Sequence, residues 1–375
     1  MRHQTALIIG GGPAGTAAAT LLAAAGAPHL LIERTRETGN AICGGFLSWR
    51  SLESLRAIGI DPALLNSDDI TDVRLFHRDK LATASLPHPA KGVSRYRLDT
   101  VMMAHAIATG ARVERGGVAR SVTDNLVQFS DGSAIQGESL LLATGKYELR
   151  GLARPAEARG ADPSLGIRVL LGPSLALTRL VGQSIELHLF DRGYAGLSLQ
   201  EDGSANLCMA VHRSRLQEAG DPEALLIALA AECPPLADRL AWRQGGTIDA
   251  IANVPYGWRA MSGTPGLFRL GDQAGVIPSL AGEGMGIAIA SGIRAAQSQH
   301  RFGPRSAVQF QRRLARDLSR PIGLADMIRA AAESPKLAGS LLALAGTAPK
   351  LVDLAARLTR INHSPVDANA FAGES

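Results

Sequence analysis

The chain has 375 residues, 46% of them hydrophobic and only 4% aromatic, with a formal net charge of +5. That is enough material for a large core in more than one domain, built mainly from Ala, Leu, Ile and Val. The charge excess sits on scattered arginines without a basic stripe, which excludes the usual nucleic-acid reader, and three cysteines without a CxxC pair support neither a disulfide framework nor a zinc site.

The predicted elements begin in "ALIIGGGPAGTAAATLLAAAGAPHLLIER", residues 6–34. As a secretory leader or a membrane span it is spoiled by three consecutive glycines and Pro13, which weaken a helix early in its length. A strand–turn–helix–strand unit uses every residue instead. An apolar strand at 5–9 ends at glycine, an Ala/Leu helix at 13–25 is stopped by Gly26, and "HLLIE" is a second buried strand. Further on, "SLLLATG" (139–145) and "GLFRLGD" (266–272) read as buried strands ending at glycine, the latter followed by a helix over 284–297. These segments predict one parallel sheet assembled from distant parts of the chain. Residues 69–92 and 165–260 instead contain alternating runs such as "SIELHLF", "AGLSLQ" and "ANLCMAV", the pattern of antiparallel strands with one covered face. From 304 to 361 the pattern is helical, with breaks at Pro321, Pro335 and Pro349, and "HSPVDANAFAGES" reads as a frayed polar tail. The expected fold class is α/β. A Rossmann-like dinucleotide-binding domain (1–68, 93–164 and 261–303) is interrupted by an α+β, antiparallel-sheet domain (69–92 and 165–260) and followed by C-terminal helices (304–375).

Two constellations carry chemistry. In Gly10-x-Gly12-x-x-Gly15, the first glycine allows a tight turn, the second lets backbone approach a pyrophosphate, and the third lets helix pack on strand. Glu33, at the end of the next strand, stands where an acidic residue holds a ribose hydroxyl. In "RLGDQAGVIPSLAGEGMGIAIASGIRAA" (269–296), Asp272 is displayed at the C-terminal end of a strand, where open α/β sheets bind ligands. Pro278, Gly282, Gly284 and Gly286 then form a loop of little bulk whose N–H groups suit an anionic ring edge. Tyr147, Tyr194, Tyr256, Trp49 and Trp258 are candidate pocket or core aromatics, whereas His77, His88, His188 and His212 are isolated.

Taken in order, "GGGPAG…ER", "SRYRLDTVMMAHAIATGARV", "LLATG" and "GDQAGVIPSLAGEGMGIAIASGIRAA" resemble the FAD-dependent oxidoreductases related to p-hydroxybenzoate hydroxylase, across residues 4–300. Within that superfamily "AICGGFLS" (41–48) and "GDQAG…GEGMG…SG" resemble the geranylgeranyl-reductase-like branch. The resemblance implies that FAD is the cofactor. Gly10, Gly12 and Gly15 would line its pyrophosphate and Glu33 its adenosine ribose, with Pro13, Ala14 and Gly145 also in contact with the cofactor. Arg34 would lie along the adenine and Val118 would meet it through its backbone. Arg95 matches a flavin-contacting arginine, with Arg97 as the alternative match; Asp272 would bind the ribityl-phosphate region. Gly282, Gly284 and Met285 would sit at the pyrimidine edge of the flavin. Cys43, Gly44 and Gly45 would lie by the ring where the substrate pocket opens, Cys43 either shaping the pocket and relaying a proton or simply filling a small buried space.

The sequence also departs from those relatives. Of the branch's Tyr-x-Trp-x-Phe-Pro stretch only Tyr194 is retained, in "DRGYAGLSLQEDG". The tryptophan motif and flavin-side lysine of halogenases are not visible, nor is a second glycine fingerprint for NAD(P)H. The expectation is an FAD enzyme acting on a largely apolar, isoprenoid- or polyketide-like molecule. It would reduce a C=C bond with electrons from an external donor, with NADH or NADPH bound only transiently. The alternatives are a monooxygenase using NAD(P)H and O2, and a non-catalytic FAD electron-transfer module docking to a partner or a membrane. The runs "SLLALAG" and "LVDLAARLTRI" near the C-terminus are either a helical cap over the second domain or that docking surface. The expected location is cytoplasmic, free or peripheral to the inner face of the membrane.

Overall fold

A computed structural model describes residues 2–362 of the chain; the polar tail from 363 onward lies outside the described residues. β1 (Arg2–Ile9) leads through the glycine turn into α1 (Pro13–Ala24) and β2 (His29–Glu33). β3 (Phe46–Leu47) and α2 (Trp49–Ala57) precede β4 (Ile70–His77) and β5 (Lys80–Gly92). α3 (Arg95–Ala108) returns to β6 (Val113–Arg115), followed by β7 (Ala119–Thr123), β8 (Leu126–Phe129) and β9 (Ala134–Leu142). Then come β10 (Ser164–Leu171), α4 (Leu175–Val181), β11 (Ser184–Phe190), β12 (Gly193–Leu199) and β13 (Ala205–His212). α5 (Arg213–Ala219), α6 (Pro222–Glu232), α7 (Pro234–Leu240), β14 (Asp249–Val254) and β15 (Leu267–Arg269) follow. The chain closes with α8 (Gly284–Phe302), α9 (Ala307–Asp317), α10 (Ser319–Ala332), α11 (Ala338–Thr347) and α12 (Pro349–Leu358).

The first sheet has seven strands, with the path β6-β2-β1-β9-β8-β7 and β15 paired to β9. β6, β2, β1, β9 and β15 are parallel, as the apolar runs predict. Its faces are closed by two cores, one of them shared with α1, α3 and α8. α1 is apolar all round because it is enclosed: every residue from Pro13 to Leu22 is buried. Small residues let α8 come against it, and a Cβ on Gly292 would stand 2.2 Å from the Ala14 carbonyl oxygen.

The second sheet has eight strands in the order β14-β10-β13-β12-β11-β4-β5-β3. It is antiparallel except for the β11–β4 pair, which is parallel. One face packs on α4, α6 and α7; the other turns toward α10 and α11. The purely alternating reading of 165–260 therefore missed four helices. The start of α6 was legible, since Asp221 caps it by accepting the Ala224 N–H at 2.8 Å and Pro222 takes its first position. The break expected at Pro321 falls at Leu318, between α9 and α10, and Pro321 lies in the first turn of α10, where a missing N–H costs nothing. Among the described residues no helix is long and apolar enough to cross a membrane.

Candidate active site

The site forms where β1, β9 and β15 end. Gly10, at φ +109°, makes a turn that no side chain fits, since a Cβ there would meet the Ala143 carbonyl oxygen at 2.4 Å. Gly12 faces space, and only Arg95 Nη2, at 3.4 Å, approaches the place of its missing Cβ. As N-cap of α1 it offers no side-chain cap, and the first turn carries no acid. The first N–H groups of the helix are thus left for an anion, in front of a guanidinium. Gly15 packs helix on strand, as its place in the motif predicts, and does not line a pyrophosphate as the family resemblance implies. Its Cβ would strike the Gly10 carbonyl oxygen at 1.9 Å, and it does not border the crevice; it sets the approach of α1 to β1.

Pro13 and Ala14 border the crevice beside Gly12. Arg95 opens α3 and is gripped by Asp99 through Nε and Nη2 at 3.1 and 2.7 Å. Arg97 instead turns to the Leu64 carbonyl, 2.9 Å from its Nε. Glu33 accepts the Gly11 N–H on Oε2 at 2.7 Å and the Thr35 N–H on Oε1 at 2.9 Å. Oε1 also accepts from the Thr35 hydroxyl at 2.9 Å, so it is Oε2 that keeps a lone pair for a further hydroxyl. Arg34 lies over the Tyr147 ring, 3.6 Å from its centroid, and Val118 and Gly145 also border the crevice.

Asp272 follows β15 in one tight turn, with its carboxylate 3.2 Å from Lys146 Nζ and its carbonyl accepting from Arg154 Nη1 at 2.7 Å. Motif reading found no lysine for a flavin, yet Lys146 borders the crevice. It lies just past Gly145, beyond the end of β9, so the reasoning that singled out Asp272 at a strand end would have found it. The Asp272 carboxylate raises the Lys146 pKa and keeps the ammonium charged.

Gly282 is left-handed at φ +65°, and a Cβ on it would meet the Phe46 ring at 2.8 Å. Gly284 opens α8 onto free space and Met285 borders the crevice beside it. Glu283 precedes α8 without capping it. Its side chain turns away, accepts from Ser48 Oγ at 2.8 Å and pairs with Arg360. Burial pushes its carboxyl up to about 7. α8 thus presents a second uncapped start.

The Cys43-Gly44-Gly45 segment is stitched to the second sheet by its carbonyls. Arg168 Nη1 donates to Ala41 O at 3.0 Å, Asn206 Nδ2 to Cys43 O at 2.7 Å and Ser198 Oγ to Gly44 O at 3.4 Å. Carbonyl and following N–H point opposite ways across a trans peptide, so the N–H groups of Ile42, Gly44 and Gly45 face away from that sheet. Arg168, Asn206 and Ser198 carry no motif and were not singled out from sequence. Tyr194 is 2% exposed, and its hydroxyl accepts the Leu280 N–H at 2.7 Å. Tyr256 Oη lies 2.5 Å from Ser279 Oγ. Burial raises both phenols and pushes the Cys208 thiol up to about 12, so all three keep their protons near neutrality.

These groups border one continuous cavity of about 1360 Å³. Beyond the glycine loops it runs between the second sheet and α10–α12, lined by Val73, Leu75, Ile185, Leu187, Ile328 and Val352. Two uncapped helix starts, a bare Gly12, the cations Arg95 and Lys146 and the acceptor Glu33 fit a pyrophosphate-linked dinucleotide with a ribose.

Fold and crevice together are those of an FAD-binding protein. Residues 3–130 match the family model of the FAD binding domain. The whole chain has the fold of the flavoproteins related to p-hydroxybenzoate hydroxylase. Among solved structures it is similar to a flavoprotein/dehydrogenase from Cytophaga hutchinsonii, at 16% identity and a TM-score of 0.78, covering 96% of this chain and 92% of the other. It is similar to PqsL, a probable FAD-dependent monooxygenase from Pseudomonas aeruginosa, at 15% identity and a TM-score of 0.70, covering 91% and 99%. It is likewise similar to a geranylgeranyl bacteriochlorophyll reductase-like protein from Thermoplasma acidophilum, at 20% identity and a TM-score of 0.69, covering 100% and 97%. No curated protein matches the sequence.

Proposed function

We propose that the chain reduces a carbon–carbon double bond in an uncharged, largely apolar molecule, with electrons from an external donor such as transiently bound NADH or NADPH. The observation that carries this reading is the apolar bore continuous with the cofactor crevice. Aliphatic side chains from β4, β11 and α10–α12 would bind such a molecule by removing its surface from water. FAD, when bound, supplies two-electron chemistry at its ring system. The chain's own residues do the rest. The carbonyl-anchored 41–45 segment and the start of α8 orient the ring and exclude water from it. Tyr256, in contact with Ser279, is a protonated hydroxyl at the crevice end of the bore, fit to give the proton that the second carbon of the double bond takes up. Ser279 can pass a proton back to it.

The test is turnover of an apolar polyene panel by the FAD-loaded protein, reduced without oxygen by NADH or NADPH. The expected product gains two hydrogens. A product carrying an added oxygen atom, formed only once air is admitted, would establish the monooxygenase alternative instead. Tyr256→Phe is expected to lower turnover by about 10²-fold while FAD still binds.

A further inference from the structure

α12 forms part of the wall of the apolar bore, through Val352, Ala355 and Leu358, yet not one of its residues is fully buried. It lies on β5 and α11 with its side chains only half-buried, so the contacts at its ends help to fix its position. At the N-terminal end it starts on Pro349. Just past the C-terminal end stands Arg360, 8% exposed, in a chain whose cofactor loop lies far away in sequence. The Arg360 guanidinium donates to the Ala281 carbonyl and stands 3.4 Å, from Nε, off Oε2 of the wholly buried Glu283. It lies 5.1 Å from the Trp49 ring centroid and 5.9 Å from that of Phe46, the ring that Gly282 sits against. The next backbone N–H, that of Ile361, points to Glu283 Oε1 at 3.4 Å. The loop Ala281–Gly284 is thus gripped by Phe46 on one side and by the end of α12 on another.

We propose that Arg360 is a positioning residue for the cofactor loop, and that through it FAD binding and the seating of α12 over the bore are one coupled equilibrium. The inference rests on FAD occupying the crevice and not on the reaction proposed above. The physical ground is that Arg360 is held by the Ala281 carbonyl and stands beside the buried Glu283 carboxyl, so α12 cannot lift away without taking a buried polar partner from that loop. If FAD needs the gripped form of the loop, the seated helix favours FAD, and by linkage FAD favours the seated helix by the same factor.

Two cleavable bonds lie on α12, after Lys350 and Arg357, which makes the coupling measurable without any turnover. The full chain, with and without FAD, is treated with trypsin and the rate of cutting at those two positions is followed by mass. FAD is expected to slow cutting there about ten-fold more than at sites elsewhere. Arg360→Ala is expected to raise the Kd for FAD at least ten-fold, to shift the absorption spectrum of the bound flavin, and to abolish the FAD-dependent protection even at saturating FAD. Arg360→Lys, which keeps the charge but not the fork, is expected to fold and to fall between the two. An arginine that merely stabilised the fold would lower the melting temperature without touching the FAD dependence of cutting at Lys350 and Arg357. The proposal is overturned if FAD leaves that cutting unchanged in the unmutated chain, or if Arg360→Ala and Arg360→Lys both bind FAD within two-fold of it.

Discussion

Gly12 and Gly15 stand three positions apart and answer to different demands. A Cβ on Gly15 would collide with backbone, whereas one on Gly12 would meet only the tip of a guanidinium. Gly12→Ala is therefore expected to fold with a melting temperature within about 2 °C of the parent. It should nonetheless lose FAD affinity by at least ten-fold, measured by fluorescence titration, because the methyl occupies the approach to the pyrophosphate. An unchanged affinity would mean that the phosphates lie elsewhere. The glycine spacing made this turn and the division of labour within it legible in the sequence, but not the guanidinium of Arg95 in front of Gly12, which the fold brings there. Asp272 was legible because a strand end displays it. Arg360 was not, because nothing in the local helical pattern of "AARLTRI" (355–361) marks a contact with a loop some eighty residues earlier.

Among the elements, the α1–α8 contact joins the two halves of the site. Gly292 admits no side chain against the Ala14 carbonyl oxygen, only 2.2 Å from where its Cβ would be. Gly292→Ala should force the helices apart and destabilise the fold by about 1–3 kcal/mol, seen as a lower midpoint in urea, and should weaken FAD binding because both uncapped helix starts move. A midpoint equal to the parent's would show that α8 can slide without cost. Local periodicity was sufficient for β1, α1, β2 and β11, whose hydrogen-bond partners or burial repeat over a few residues. It failed for α4–α7, where short helices sit among alternating strands. It could not show that β11 runs parallel to β4, since that pairing brings together strands that turns do not connect.

At the scale of the molecule, the C-terminal helices are tied to the second sheet by a histidine that looks isolated in the sequence. His212 at the end of β13 meets Glu333 Oε2 through Nε2 at 3.0 Å and Asp162 Oδ2 through Nδ1 at 3.2 Å. The hydrogen bond to Glu333 raises its pKa in the fold, against the opposing effect of burial. A raised folded value means that its contribution is complete below the ordinary pKa of about 6.5 and is lost as pH rises through the folded one. The loss of urea stability in His212→Gln should accordingly be larger at about pH 5.5 than at about pH 8.5; the reverse order would remove the ion-pair account. The order of the parallel strands carries a different consequence. β15, with Asp272 behind it, pairs with β9, which pairs with β1. A ribosome therefore releases the Gly10–Glu33 half of the crevice long before the strand that completes it. Until the last third of the chain has been made, the nascent protein has a phosphate turn but no wall opposite it. Cofactor uptake thus waits until β15 and α8 have been made, and any truncation upstream of α8 should yield a colourless chain.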